Sequence, residues 1–168
     1  MDNHQLTHDS HAVKDVPNEI ILICDHVKSP ANIGAIFRLA DAFQVSEIIF
    51  CGVSIDVSSS RLKKTARNTY TFIRFRESES IETTLQELHD NAYTSIALEI
   101  TSKSTPIQDF KSSIHKKLVL LIGDENYGVS EHILEKVHHT LHIPMYGKNS
   151  SMNVAQATAI ALYALRTT

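Results

Sequence analysis

Short, continuous runs of apolar residues recur along the chain and alternate with segments of helical periodicity. Such runs are typical of strands buried on both faces of a parallel sheet, and the helices between them are the crossovers that parallel strands require. The predicted strands are residues 19–24, 47–51, 95–100, 117–122 and 140–143. The predicted helices are residues 31–43, 80–91, 130–138 and 153–165. The alternation predicts an α/β fold with a mainly parallel sheet flanked by helices.

The length of 168 residues fits a single domain, which we expect to span residues 19–168. Residues 1–18 are polar and are expected to form a flexible tail without the layout of a secretory signal. The histidines of this tail lack an accompanying pattern of carboxylate or Cys ligands, so no metal site is predicted. Cys24 and Cys51 end apolar runs and are interpreted as buried thiols of a cytoplasmic protein. No run is long enough to span a membrane, so no membrane partner is expected.

The net charge of −3 is distributed unevenly. Six of the 16 basic residues lie between Arg61 and Arg76, where there is no acidic residue, so the rest of the chain has ten basic and 19 acidic residues. This stretch is interpreted either as a binding loop or as a solvated turn. No dinucleotide or P-loop glycine motif is present. Of the five glycines, Gly52 and Gly123 directly follow predicted strands, and Gly128 and Gly147 lie in adjoining loops, where ligands of parallel sheets bind.

The first of three informative segments is Asn32-Ile-Gly-Ala-Ile-Phe-Arg38. Helical spacing puts Gly34, Arg38 and Asp41 on one face, turned away from the apolar stripe. Taken alone, Arg38 and Asp41 fit a surface ion pair.

The second segment is Leu121-Ile-Gly-Asp-Glu-Asn-Tyr-Gly-Val-Ser130, which joins a strand to a helix that Ser130 can cap. Its paired carboxylates, Asp124 and Glu125, fit acid–base groups or metal ligands. They fit equally well as negative charges at the start of a helix, so local chemistry leaves both interpretations open.

The third segment is Ile143-Pro-Met-Tyr-Gly-Lys-Asn-Ser-Ser-Met-Asn153, followed by an alanine-rich helix that Ser150 or Ser151 can cap. A well-capped core helix explains the alanines. It does not explain the polar loop that contains Pro144 and Gly147.

In this order, the three segments resemble the SpoU/TrmH class of the SPOUT RNA methyltransferases. That class has the patterns N-x-G-x-x-x-R, G-x-E-x-x-G-[LV]-S and I-P-M-x-G-x-x-x-S-[LM]-N-V. The resemblance covers residues 20–165. Met152 stands where Leu is frequent, and Ala155 stands where Ser is common.

The resemblance implies a deep C-terminal trefoil knot, a homodimer, and S-adenosylmethionine bound in the knot, with S-adenosylhomocysteine as product and no metal. It also implies methyl transfer to a ribose 2′-hydroxyl of RNA. The implied catalytic residues are Arg38, Asn32, Glu125 and Asn153. The implied cofactor-binding residues are Glu99, Gly123, Ile143, Met145, Ser151 and Met152.

The chemistry leaves two roles open for Arg38. It either deprotonates the ribose hydroxyl with help from a substrate phosphate, or it stays charged, clamps that phosphate and stabilises the developing alkoxide. No metal is needed, so Asp124 and Glu125 are better interpreted as scaffolding of the site. Asn32 is expected to hold Arg38 or the phosphate.

The expected partner is RNA, with tRNA favoured over rRNA and without DNA. No separate RNA-binding domain is expected, so the basic stretch should contact phosphates through Arg61, Lys63, Lys64 and Arg67. The alternative is a noncatalytic RNA-binding module that retains the fold. A flavodoxin-like nucleotide-binding protein is possible at the level of fold alone.

Overall fold

Seven parallel strands form one sheet in the computed structural model, which describes residues 15–149 and 151–168. The strands are β1 (Glu19–Asp25), β2 (Glu47–Cys51), β3 (Phe75–Ser78), β4 (Thr94–Leu98), β5 (Thr105–Pro106), β6 (Lys117–Ile122) and β7 (His139–His142). Their order across the sheet is β3-β2-β1-β6-β4-β7-β5. All six pairings are parallel, which confirms the predicted sheet. The knot stays a prediction.

Five α-helices connect or follow these strands: α1 (Pro30–Ala42), α2 (Ser60–Ala66), α3 (Ile81–Asp90), α4 (Glu131–Leu134) and α5 (Val154–Thr167). Single 3₁₀ turns lie at Thr69–Thr71, Ile107–Asp109 and Ser112–Ile114. The predicted helix 130–138 is wrong in length, because α4 ends at Leu134 and the chain enters β7 at His139. The sequence did not predict α2, β3 or β5, which are short and have few buried apolar residues.

Apolar side chains cover both faces of the sheet. Alternate residues of β1 point to opposite sides, so Ile20 and Leu22 belong to the core beneath α1 and α5, whereas Ile21 and Ile23 belong to the core beneath α3 and α4. Cys24 and Cys51 are buried free thiols, as predicted. Burial raises the pKa of both thiols, that of Cys51 to about 11, so both remain protonated at neutral pH.

The packing of α1 against α2 corrects the interpretation of Gly34. This residue is buried rather than part of a solvated polar face. A Cβ atom added at Gly34 would collide with Thr65 Oγ1 and would lie 2.5 Å from the carbonyl oxygen of Leu62. Glycine therefore allows the two helices to approach each other closely.

Hydrogen bonds connect the end of α5 to the residue before β1 and to the end of α1. The guanidinium of Arg166 donates hydrogen bonds to the carbonyl oxygens of Phe43, Gln44 and Asn18 and to Asn18 Oδ1, over 2.6–2.8 Å. Asn18 is buried, so the part of the predicted tail that the structure describes is exposed only at residues 15–17. The rest of that tail, with its histidines, lies outside the described residues. In the described part of the chain, no helix is both long and apolar enough to cross a membrane.

Candidate active site

A cleft of about 850 Å³ opens at the carboxyl edge of β4, β6 and β7. Its walls come from the loops that follow these strands and from the segment that leads into α5. Every residue that the sequence assigned to cofactor binding lines this cleft, namely Glu99, Gly123, Ile143, Met145, Ser151 and Met152. The parallel sheet brings them together because its strands end at one edge.

Glu99 joins the loop after β4 to the loop after β6. Its Oε1 accepts a hydrogen bond from the backbone N–H of Ile100, and its Oε2 accepts one from the N–H of Val129, both over 3.0 Å. Gly128 has a positive φ of 64°, and a Cβ atom there would collide with the Glu99 carboxylate. Glycine at this position therefore lets the two loops pack in direct contact.

Asp124 organises the turn between β6 and α4. Its carbonyl oxygen accepts a hydrogen bond from Gly128 N–H over 2.9 Å. Its Oδ1 accepts two more from the N–H groups of Asn126 and Tyr127, over 2.8 and 3.1 Å. Asp124 thus has a scaffolding role. Among the residues that the structure describes, no group of three or more His, Cys, Asp or Glu side chains is placed to hold a metal ion.

Three of the four predicted catalytic residues form one chain of hydrogen bonds. Asn32 Nδ2 donates to Glu125 Oε1 over 2.5 Å, and Asn32 Oδ1 accepts from Asn153 Nδ2 over 3.0 Å. Asn32 thus bonds to Glu125 and Asn153 rather than to Arg38. The chain connects the first turn of α1, the loop after β6 and the start of α5.

Asn153, rather than a serine, caps α5. Its Oδ1 accepts hydrogen bonds from the N–H groups of Ala155 and Gln156, over 2.9 and 3.3 Å. The predicted cap at Ser151 is therefore wrong, and Ser150 lies outside the described residues. Because the side chain uses its oxygen for the cap, its amide nitrogen is free to donate to Asn32.

Arg38 lies on α1, about 9 Å along the helix axis from Asn32. Its side chain is exposed, and within residues 15–149 and 151–168 it has neither a hydrogen bond nor a salt bridge. The ion pair with Asp41 that the spacing suggested does not form. The Arg38 guanidinium is therefore free to bind an anionic ligand.

The basic stretch divides into two parts. Arg61, Lys63 and Lys64 are exposed on α2, and Arg67 follows in a left-handed conformation, with φ 47°. None of these four has a salt bridge within the described residues. By contrast, Arg74 pairs with Glu47 over 3.4 Å, and Arg76 pairs with Glu87 over 3.0 Å. Among the described residues, the α2 part is thus a basic surface without salt bridges, and Gly34 brings it beside the face of α1 that carries Arg38.

Sequence reasoning missed a polar pair beside this site. Asp25 is the last residue of β1 and His26 follows it, and Asp25 Oδ1 lies 2.6 Å from His26 Nδ1. The available signal was a charged residue directly after the apolar run Ile20–Cys24.

Comparison with known proteins agrees with this geometry. The model of the SpoU rRNA Methylase family matches residues 19–163. The chain belongs to this family. The match covers all seven strands and most of α5, so both the sheet and the cleft lie inside the family domain.

Two curated relatives represent different RNA substrates. The chain is 27% identical over 146 residues to the 23S rRNA (guanosine(2553)-2′-O)-methyltransferase of Bacillus subtilis, with 87% of this chain and 57% of the relative covered. It is 28% identical over 148 residues to the tRNA (guanosine(18)-2′-O)-methyltransferase of Saccharomyces cerevisiae, with 87% and 10% covered. This SpoU-family chain therefore spans little more than half of the bacterial relative and a small part of the yeast one.

Two solved structures have the same fold. An AdoMet-bound rRNA methyltransferase from Sinorhizobium meliloti superimposes with a TM-score of 0.81 at 26% identity, covering 88% of this chain and 56% of the other. The A. aeolicus TrmH/SpoU tRNA modifying enzyme superimposes with a TM-score of 0.79 at 26% identity, covering 89% and 74%.

The cleft fits S-adenosylmethionine in size and in lining. A volume of about 850 Å³ lies in the range of cofactor sites. Apolar side chains suited to an adenine ring lie in the same walls as polar side chains and loop backbone suited to a ribose and an amino acid. The apolar side chains include Leu98, Ile122, Ile143, Met145, Met152 and Val154.

Proposed function

We propose that this protein is an S-adenosylmethionine-dependent RNA methyltransferase that modifies a ribose 2′-hydroxyl of tRNA or rRNA. The chain of hydrogen bonds Glu125–Asn32–Asn153 carries the proposal, because it fixes three polar side chains beside the cleft. A noncatalytic RNA-binding module has no need of such an arrangement. The names of the two curated relatives support the same reaction.

S-adenosylmethionine, when bound, supplies a methyl group on a sulfonium, which is already an electrophile. Glu99, Gly123, Ile143, Met145, Ser151 and Met152 would hold this cofactor. The protein then has to orient the ribose hydroxyl and assist the loss of its proton. Because Asn153 holds Asn32 in turn, the hydrogen bond from Asn32 positions Oε1 of Glu125 at the edge of the cleft.

Arg38 is best suited to the role of a charged clamp. A guanidinium keeps its proton at neutral pH, so it is a poor general base. The free, exposed guanidinium is available for a bidentate contact with a substrate phosphate. From there its charge would stabilise the alkoxide that develops on the ribose oxygen.

RNA would approach over α1 and α2. Arg61, Lys63, Lys64 and Arg67 extend the positive charge of Arg38 along this surface. Because phosphates make most of the protein contacts with nucleic acids, such a surface positions the substrate without reading its sequence. The preference for tRNA over rRNA and the cytoplasmic location stay predictions.

A homodimer is also part of the proposal. The α5 helix buries Ala161, Leu162 and Leu165 but leaves Ile160 and Tyr163 exposed, at 42% and 62% of their surface. These two residues are three positions apart and therefore share one helix face. An apolar face of this kind suits a second copy of the chain.

In the decisive experiment, the protein is incubated with methyl-labelled S-adenosylmethionine in two reactions, one with unmodified tRNA and one with unmodified rRNA. The labelled nucleotide is then mapped in each RNA. Label on a ribose of either RNA supports the proposal, and comparison of the two RNAs tests the tRNA preference. Label on a base would contradict the 2′-O assignment. Cofactor-independent RNA binding without label would favour the noncatalytic module. Analytical ultracentrifugation tests the dimer.

A further inference from the structure

A second pocket, of about 360 Å³, lies at the carboxyl edge of β1 and β2. The loop at residues 124–128 separates it from the cofactor cleft, because Asp124, Tyr127 and Gly128 line both cavities. The same loop carries Glu125 of the hydrogen-bonded chain. A group bound in the second pocket would thus sit one loop away from the proposed site of methyl transfer.

Asp25 lines this pocket with an unused hydrogen-bond acceptor. Its side chain is only 7% exposed, and its Oδ1 is engaged with His26. Its Oδ2 has no hydrogen-bond partner among the described residues. Every fully enclosed side-chain polar atom in the described chain does have a partner, so Oδ2 must reach the open space of the pocket. This oxygen is therefore available to accept a hydrogen bond from a donor on a ligand that enters the pocket.

The backbone next to Asp25 is strained. His26 has a left-handed backbone, with φ 55°, and its ring lies against Gly52, where a Cβ atom would collide with it. A non-glycine residue in this conformation costs about 1 kcal/mol, and such strain concentrates at ligand sites. The His26 side chain remains 53% exposed.

Glu79 supplies a second free acceptor. This exposed carboxylate lines the pocket and has no hydrogen-bond partner among the described residues. Glu82, in contrast, is engaged by His132 over 2.7 Å and by the Ser80 hydroxyl over 3.1 Å. Cys51 is a protonated thiol, since burial raises its pKa to about 11, so the pocket has no thiolate nucleophile.

We propose that this second pocket binds a guanine base of the RNA substrate, an inference that rests on the proposed function. Guanine presents two adjacent donors, an imino N–H and an amino group, on one edge. Asp25 Oδ2 and Glu79 are acceptors for these donors. Uracil, cytosine and adenine each place an acceptor beside their single donor group, and carboxylates repel such an acceptor. Tyr127 lines the pocket and is 90% exposed, so its ring is available to stack on a base that enters the pocket.

The test is calorimetric titration of the full chain, saturated with S-adenosylmethionine, with the 5′-monophosphates of guanosine, adenosine, cytidine and uridine. The guanosine nucleotide should bind at least about tenfold more tightly than the other three. Glu79→Gln and Asp25→Asn should each weaken its binding about tenfold, whereas the charge-matched control Asp109→Asn should not. Asp109 is exposed on the 3₁₀ turn at Ile107–Asp109 and does not line the pocket.

Equal affinity for the four nucleotides would overturn the proposal. So would an unchanged guanosine affinity in Glu79→Gln, whose exposed position does not endanger folding. Competition between the guanosine nucleotide and S-adenosylmethionine would place the nucleotide in the cofactor cleft and would also overturn it. If the protein transfers methyl groups but shows no preference for the guanosine nucleotide, only the proposal of a guanine site is refuted. If it prefers the guanosine nucleotide but transfers no methyl group, only the proposed function is refuted.

Discussion

Asn153 donates a hydrogen bond to Asn32 over 3.0 Å, although the two residues are 121 positions apart in the chain. The same Asn153 caps α5 through its oxygen, and the same Asn32 donates to Glu125. One side chain thus links the stability of the last helix to the geometry of the candidate active site.

Substitution of Asn153 should separate these two roles. Asn153→Ala removes the helix cap and should lower the free energy of unfolding by about 1 kcal/mol, together with methyl transfer. Asn153→Asp retains an oxygen for the cap but cannot donate to Asn32, so stability should persist while methyl transfer falls. Urea denaturation and labelled-methyl transfer measure the two effects. Full activity in Asn153→Asp would show that the bond to Asn32 is dispensable.

Arg38→Ala should lower the rate of methyl transfer by at least about 100-fold, because a positioned charge next to the reacting oxygen is lost. Stability should change by less than about 0.5 kcal/mol, since the exposed side chain has no partner among the described residues. Affinity for S-adenosylmethionine should also be unchanged. Arg38→Lys keeps a point charge and should recover only part of the activity. Wild-type rates in Arg38→Ala would refute both roles considered for this residue.

Charge reversal on α2 should weaken RNA binding and flatten its dependence on salt. The double substitution Lys63→Glu with Lys64→Glu should reduce the slope of log affinity against log salt by about 2. The matched control is Lys111→Glu with Lys116→Glu, which changes the net charge equally at two exposed positions just before β6. An equal loss of RNA affinity in the control would show that the effect comes from the net charge of the protein and not from a binding surface on α2.

Arg166→Ala should lower the free energy of unfolding by about 2–4 kcal/mol, because four acceptors at the start of β1 and the end of α1 lose a charged donor. Arg166→Lys retains the charge but not the planar set of donors, so it should restore only part of this loss. Chemical denaturation gives both values. Wild-type stability in Arg166→Ala would mean that water replaces the guanidinium without cost.

Stability should fall as the pH drops below about 6.5, the ordinary pKa of histidine. Burial, and secondarily the charge of neighbouring histidines, lowers the pKa of His89 and His139 in the folded protein. Below this pH, the unfolded chain therefore binds more protons than the folded protein. The free energy of unfolding decreases as the pH falls from about 6.5 to the lowered pKa values of the folded protein. Urea denaturation at pH 7.5 and 5.5 should reveal the difference, and His89→Gln with His139→Gln should reduce it. An identical pH dependence in the double variant would assign the effect to other groups.

The sequence by itself determined the parallel sheet, and its resemblance to a known family identified the residues of the cleft. Apolar and β-branched runs predict five of the seven strands, and several of these runs are continuous, as in strands that are buried on both faces. Parallel strands end at one edge, so motifs that follow strands must meet there, as Glu99, Gly123 and Ile143 do. The sheet also places Arg38 and Asn32 on a helix that begins at this edge.

Only the tertiary structure decided which polar groups are paired and which are free. Asn32 bonds to Glu125 and Asn153, and Arg38 does not pair with Asp41. Among the described residues, the salt bridges of the basic stretch are those of Arg74 and Arg76. Hydrogen bonds and ion pairs act over about 3–4 Å, whereas the partners lie many positions apart in the chain. The order of strands and the packing of helices set those distances, and neither is encoded in local composition.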